Sequence, residues 1–327
     1  MCETKYPRVR RIDSSRWEIE ATGGMRVPGL IFADDRMMDS LREDQSLLQV
    51  MNVAHLPGIL RYSMAMPDIH WGYGFPIGGV AAFDADTGVV SPGGVGYDIN
   101  CGVRLLRSRI HRRDLEGRRQ ALVAGLFHNI PTGIGSRRKD LRLDVQEVKQ
   151  VLLRGAQWAV SRRFGRSPDL EFLEEGGRMP GAVPETVSPR ALERGRRQLG
   201  TLGSGNHFVE VGYVSEVYDE TIAEILGLKR DQVTVIIHTG SRGLGYQVCE
   251  DSLRSMLETA GRHSIRLPDR QLSCAPLQST EGKRYLQAMA AAANFAFANR
   301  QVITHWVRQT FEEVLRLSPN RLGLEVL

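Results

Sequence analysis

The chain has 327 residues, 42% of them hydrophobic and 25% charged, with a formal net charge of +5. That balance excludes a disordered polymer and fits a globular protein with a substantial core. No apolar run approaches the roughly 20 residues of a membrane span, and MCETKYPRVRR lacks the apolar centre of a signal peptide, so a cytoplasmic protein with no membrane partner is expected.

Arginine outnumbers lysine several-fold, and the pI is about 9.2. A GC-rich codon choice is the bland explanation, although a basic balance also permits a nucleic-acid partner. The cysteines, Cys2, Cys101, Cys249 and Cys274, show no paired spacing. Reduced thiols rather than a disulfide framework are expected.

In chain order, LLQVMNVAHLPGI (47–59) predicts a short helix ended by Pro57-Gly58. GGVAAFDADTGVV (78–90) predicts two strands around an Asp-Thr-Gly turn, and GVRLLRSRI (102–110) a third strand. Asp98 and Cys101 then fall on a loop between strands, where a rigid scaffold commonly presents functional groups. DLEGRRQALVAGLFHNI (114–130) predicts a helix with Asp114 as N-cap. DVQEVKQVLLRGAQWAVSRRFG (144–165) predicts a helix stopping at Gly165. Residues 166–187 read as a loop, and SPRALERGRRQLG (188–200) as a helix opened by Ser188-Pro189. HFVEVGYV (207–214) and QVTVIIHTG (232–240) are strands; the unbroken apolar VTVIIH predicts burial on both faces. Two helices follow, the second over about 281–316, and RLGLEVL ends the chain as an apolar strand. Without a regular βαβ alternation, the expected class is α+β, with mixed or antiparallel sheets and flanking helices.

Four glycine-rich clusters carry the chemistry: MPDIHWGYGFPIGG (66–79), SPGGVGYDINCG (91–102), LGSGNHFVEV (202–211) and VIIHTGSRGLG (235–245). Each sets an Asp, Cys or His in a turn at a strand end. The candidate ligands are Asp68, His70, Asp98, Cys101, His207 and His238. One such histidine is as readily structural as functional; four like clusters suggest a shared centre. A thiolate near a cation can bind one metal or bridge two. Ligand softness suggests zinc or iron, and the carboxylate admits manganese. GSGNHF and HTGSRGLG also offer backbone N–H groups for phosphate, with Arg242 as a planar fork. Neither is a P-loop or a Rossmann fingerprint. Trp158, Phe295 and Phe297 read as core, Arg194, Arg196 and Arg197 as a solvated helix face, and Cys249 as packed.

From about residue 66 onward, PDIHWGYGFPIGG, GGVGYDINCGVR, LGSGNHFVE and HTGSRGLG resemble, in order and wording, the RtcB family of RNA-splicing ligases. The resemblance implies a GTP- and manganese-dependent ligase. It joins an RNA 3′-phosphate or 2′,3′-cyclic phosphate to a 5′-hydroxyl through a guanylylated histidine. It implies metal ligation by Asp98, Cys101, His207 and His238, with Cys101 bridging two ions. Asn206, Phe208 and Glu210 match guanylate-site positions, Asp68 the carboxylate orienting the nucleophilic histidine, and Arg242 a phosphate contact. Archease is the candidate activating partner. The family pattern continues with a further histidine ligand and the nucleophile, strings not found in this sequence. The expectation is therefore a single catalytic domain over 1–327, truncated at its C-terminus and inactive alone. The competing expectations are a metal-dependent phosphate-ester hydrolase and a non-catalytic metal- or RNA-binding remnant.

Overall fold

The computed structural model describes residues 7–42, 44–138 and 140–327. Cys2 and the first residues of the N-terminal segment read for a signal peptide lie outside them. In chain order the strands are β1 (Val9–Arg11), β2 (Arg16–Ile19), β3 (Gly29–Phe32), β4 (Ile59–His70), β5 (Ile77–Phe83), β6 (Val89–Val90), β7 (Gly102–His111), β8 (Phe208–Tyr213), β9 (Gln232–Thr239), β10 (Ala275–Pro276) and β11 (Glu325–Val326). The class is α+β, as the sequence predicts. No helix among the described residues is long and apolar enough to cross a membrane.

The chain forms two compact units. One contains the residues up to Tyr97 together with Cys249–Leu286; the other contains Asp98–Val248 and Gln287–Leu327.

The first unit is built on a mixed five-stranded sheet in the order β1-β2-β3-β4-β5, with β3 and β4 parallel and the other pairs antiparallel. Trp17, Ile19, Ile31 and Ala65 from its strands pack with Leu47 and Val50 of the helix Ser46–Val53. Burying each such aliphatic side chain stabilises the fold by about 1.5–3 kcal/mol. The 78–90 segment gives two strands, but they do not form a hairpin. The Asp84 carboxylate accepts from Thr87 N–H at 2.8 Å and Asp86 N–H at 3.1 Å, curling the connection. β5 then pairs with β4, and β6 with β10.

The second unit carries an antiparallel four-stranded sheet in the order β11-β7-β9-β8. One face packs Leu106, Ile110, Val233, Val235 and Ile237 against Ile303, Val307 and Phe311 of the long helix Thr280–Leu315. The expectation that VTVIIH is buried on both faces is corrected here. Val233, Val235, Ile237 and Thr239 are buried, whereas Thr234, Ile236 and His238 alternate with them at intermediate exposure. The run is apolar because β9 is central, flanked on both edges, although only one of its faces meets a helix.

Local signals explain most helix ends, with two corrections. Asp144 caps Val145–Arg154 by accepting from Glu147 N–H at 2.7 Å, a contact worth about 1 kcal/mol. That helix breaks at Gly155 (φ 53°), and a second, Ala156–Ser161, follows. Asp114 does not cap the helix Arg119–Asn129. It sits in a 3₁₀ turn, Arg112–Leu115, and accepts from His111 N–H at 2.8 Å. Ser188 caps Pro189–Gly195 as expected, and the 166–187 loop holds three short 3₁₀ turns. Trp158, Phe295, Phe297 and Cys249 are core, as read. Arg194, Arg196 and Arg197 are half-buried rather than solvated, with Arg196 paired to Glu193.

Candidate metal centre

Three strand ends of the second unit meet at one margin of its sheet. β7 and β8 begin there, and β9, antiparallel to both, ends there. The register therefore brings Cys101 beside His207 and His238, from which it is 106 and 137 residues distant in sequence. Cys101 Sγ lies 3.2 Å from His207 Nε2 and 3.2 Å from His238 Nε2. His207 Nε2 is 2.8 Å from Asp98 Oδ2.

The loop that carries Asp98 and Cys101 is fixed from several sides. Cys101 N–H donates to the Asp98 carbonyl at 3.0 Å. Asp98 Oδ1 accepts from Arg242 N–H at 3.0 Å and Ser241 Oγ–H at 3.2 Å. This approach requires glycine at 240, because a Cβ there would sit 2.7 Å from the carboxylate. Asn100, between the two candidate ligands, has φ 55° and is held in that left-handed conformation by Arg300. Arg300 Nη1 donates to Asn100 O at 2.7 Å and Thr239 O at 2.8 Å, and Nη2 to Asn100 Oδ1 at 2.9 Å. One guanidinium thus ties the Cys101 loop to the residue after His238. Its neighbour Asn299 accepts from Gly200 N–H at 2.7 Å and donates to Thr201 O at 3.1 Å, bracing the approach to His207.

Hydrogen bonding decides which nitrogen His207 presents. Its Nδ1 lies 2.9 Å from the Leu202 carbonyl, which can only accept, so Nδ1 carries the proton. In the neutral ring Nε2 then turns a lone pair toward Asp98 Oδ2 and the Cys101 sulfur. Asp98 Oδ2 is buried, and only the His207 ring and the Cys101 thiol could give it a proton. Two occupants can hold these atoms together: protons on His207 Nε2 and the Cys101 thiol, shared with Asp98, or a cation that takes the lone pairs of all three.

The ionisation tendencies agree. Burial pushes the Cys101 thiol up to about 12, and the Asp98 charge adds to it. Burial, then the His207 charge, lowers His238 and favours its neutral, ligating form. Burial would raise Asp98, but the His207 hydrogen bond and the His207 and Arg242 charges outweigh it and hold the carboxyl below its usual value. A bound cation reverses the bias on the thiol, because thiolate is the ligating form. Asp98, Cys101 and His207 together present one donor atom each, all within 4.8 Å of one another, and could hold a metal ion. The donor set, one carboxylate, one thiol and imidazoles, fits a divalent transition metal.

The other candidate residues fall as follows. Phe208 is opposite His238 in the β8–β9 register, and its ring meets that imidazole edge-on with centroids 5.4 Å apart. Asn206, Phe208 and Glu210 are exposed. Phe208 and Glu210, two residues apart on β8, share its exposed face. The Arg242 side chain crosses the 203–205 loop so closely that a Cβ on Gly203 would collide with its guanidinium. Arg242 Nε is buried without a partner, and burial lowers its pKa. The amides of HTGSRGLG are only partly free for an anion: Arg242 N–H is spent on Asp98, Gly243 N–H on Gln198, and Gly245 N–H on Ser241. Asp68 and His70 belong to the first unit, on β4, where both are exposed and His70 Nδ1 donates to the Asp68 carbonyl at 2.8 Å.

Sequence reasoning missed Asn100, Asn299 and Arg300. A signal existed for the last two: ANFAFANRQVITH places Asn, Arg and Gln among alanines and phenylalanines, and such polar groups on a buried helix need partners.

The sequence model of the family described as tRNA-splicing ligase RtcB matches residues 49–327. The chain is 53% identical over 320 residues to the tRNA-splicing ligase RtcB of Thermococcus kodakarensis, covering 98% of this chain and 66% of that protein. It is 51% identical over 303 residues to the protein of that name from Methanococcus maripaludis, covering 93% and 63%. It is 53% identical over 268 residues to the RNA-splicing ligase RtcB of Mycobacterium tuberculosis, covering 81% and 62%. The chain thus spans a little under two thirds of the length of these relatives.

Proposed function

The chain belongs to the RtcB family, and on that premise we propose that it carries the metal-binding part of an RNA ligase. The reaction joins RNA 3′-phosphate or 2′,3′-cyclic phosphate ends to 5′-hydroxyl ends. GTP and manganese are the cofactors and a histidine takes the guanylate. The observation that supports this reading is the convergence of Asp98 Oδ2, Cys101 Sγ, His207 Nε2 and His238 Nε2, all atoms of metal-ligating type, at one margin of the sheet.

Asp98, Cys101 and His207 would hold one manganese ion, and Cys101 with His238 would hold a second; the 3.2 Å approach of the sulfur to each imidazole nitrogen supports that sharing. Ions bound there neutralise phosphate oxygens and stabilise charge at the transferred phosphorus. Around them the chain's own residues bind and orient. Asn206, Phe208 and Glu210 line the guanylate site. Arg242, its Nε unpartnered, takes a phosphate of the RNA or nucleotide. Asp68 sets the tautomer of the nucleophilic histidine. Archease is the activating partner to test.

Manganese titration followed by electron paramagnetic resonance tests the centre. Bound manganese is expected in this protein, with affinity at least 100-fold weaker in Cys101→Ala, about 2.7 kcal/mol. No bound manganese in the unaltered protein overturns the assignment. The reaction is tested with RNA halves bearing a 2′,3′-cyclic phosphate and a 5′-hydroxyl, incubated with GTP and manganese. Joined product supports the ligase. Phosphate released from a 3′-phosphorylated RNA without GTP, and no joining, favours the hydrolase instead.

A further inference from the structure

A cleft of the first unit is lined by groups of one sign. Segments distant in the chain meet there: the turn before β3, the residues after the helix Ser46–Val53, the approach to β6, and the stretch after the helix Arg242–Arg262. All of its lining belongs to the first unit. The cleft measures about 690 Å³, within the range of small-molecule sites. Arg26, His55, His263 and Arg266 line it, and among the described residues no Asp or Glu does.

The chain reaches this arrangement through glycine. Met25 N–H donates to the Thr22 carbonyl at 3.1 Å across Gly23, whose φ is 59°. Gly24 then passes close to His55, because a Cβ there would lie 3.1 Å from His55 Cδ2. His55 Nδ1 is 2.9 Å from the Met51 carbonyl, so Nδ1 holds the proton and Nε2 of the neutral ring offers a lone pair. Arg26 spends only Nε, on the His55 carbonyl at 3.1 Å, of the five N–H donors of a guanidinium. Arg26 and Arg266 are exposed and have no ion-pair partner among the described residues. The acids nearest in sequence are engaged elsewhere. Asp84 accepts from Thr87 N–H and Oγ–H, each at 2.8 Å, Asp269 accepts from Gln271 N–H at 2.8 Å, and Glu281 pairs with Arg262.

Two helices end beside the cleft, and cations there complement the helix dipoles without any ligand. The terminal carbonyls, however, are already met. Val53 O accepts from Leu56 N–H at 3.0 Å, Ala54 O from Arg26 N–H at 2.8 Å, Thr259 O from His263 N–H at 3.0 Å and Ala260 O from Ile265 N–H at 2.9 Å. Apart from Arg26 Nε, the arginine side-chain donors are surplus to them. Ile265 and Leu267, packed on the buried cluster of Val27, Val53 and Leu272, add an apolar wall. Two guanidinium groups, an apolar wall and an imidazole acceptor suit a ring system that carries a phosphate. A bare phosphate would leave the wall and His55 Nε2 unused.

We propose that this cleft binds a nucleoside monophosphate. Arg26 and Arg266 hold the phosphate, the Ile265–Leu267 wall takes the ring system, and His55 Nε2 accepts from a hydroxyl or amine of the ligand. The site is independent of the ligase reading, whose metal ligands all belong to the second unit.

The test is isothermal titration calorimetry of the full chain with adenosine monophosphate, in about 100 mM KCl with EDTA to exclude divalent ions. A dissociation constant below about 1 mM is expected. Arg26→Gln/Arg266→Gln should weaken binding about tenfold or more, through loss of charge-assisted contacts. Because Arg26 also braces the His55 carbonyl, Arg266→Gln alone is measured beside it and should weaken binding about threefold or more. The control Arg270→Gln, an exposed residue outside the cleft, should stay within about twofold. Adenosine and inorganic phosphate, each with half of the recognised chemistry, should bind about tenfold more weakly than the monophosphate. Photolabelling with azidoadenosine monophosphate, followed by peptide mapping, should mark the peptide that holds residues 263–268. Equal affinity for inorganic phosphate, equal weakening by Arg270→Gln, no nucleotide binding, or label confined to residues 206–210 overturns the proposal.

Discussion

Asp98 and Asp169 are two carboxylates of the same unit, and both are held below their ordinary pKa although burial pulls each upward. Asp169 is closed. Arg308 reaches its two oxygens at 2.7 Å each, Gln301 donates at 2.8 Å and Arg166 N–H at 3.0 Å. Asp98 is closed on one side only: Oδ1 accepts from Ser241 and Arg242, while Oδ2 faces the lone pair of His207 and the Cys101 sulfur. A covalently attached cation makes the first carboxylate architecture. The second is open to a cation from solution, with Cys101 and His207 beside it. Burial alone, or a shifted pKa alone, would not have told them apart; the donor left over does.

The largest test of that contrast is Asp169→Ala. It leaves Arg308 buried without its counter-charge, beside Arg104, whose Nε and Nη2 already lack partners. A loss of about 3–5 kcal/mol is expected in urea unfolding; a loss under about 1 kcal/mol, the scale of an exposed pair, would show that this pair is no structural anchor. The next test moves to the open carboxylate. Arg300→Gln should weaken manganese binding by about 10–100-fold, as for other residues that orient a ligand, and Arg300→Lys should recover part of it. A global unfolding effect would instead lower the melting temperature and leave the affinity of the folded fraction unchanged. The smallest effect is in the acid range. Because Asp169 has a lower pKa folded than unfolded, its stabilisation is complete above the ordinary carboxylate range and is lost as pH falls through the folded value. The unaltered protein should therefore lose stability on acidification through that range more steeply than Asp169→Asn. Parallel curves for the two proteins would remove the linkage.

Much of this was legible in the sequence because it was local. Ser188-Pro189 and the glycine-rich strand ends each act within a few residues, and each appears in place. The cluster residues Asp98, Cys101, His207 and His238 were legible as residue types in like surroundings. What escaped depended on distant partners. VTVIIH looks the same whether one or two helices cover it, and only the fold decides that one face of β9 stays open. Asp114 reads as a helix start until His111 supplies the other half of a 3₁₀ turn. Arg300 lies 200 residues from Asn100, and no spacing rule connects them.

That separation has a consequence for the order in which the protein is made. Synthesis runs from the N-terminus, so Asp98 and Cys101 leave the ribosome first, His207 and His238 follow, and the arginine that ties the Cys101 loop to β9 comes last of all. The centre is an assembly of high contact order. A nascent chain offers a loose thiol and scattered imidazoles until residue 300 has emerged, and only then a shaped ligand set. The shaped cluster is thereby a late product of synthesis, coupled to the docking of the long helix rather than to the appearance of Asp98, Cys101, His207 and His238 themselves.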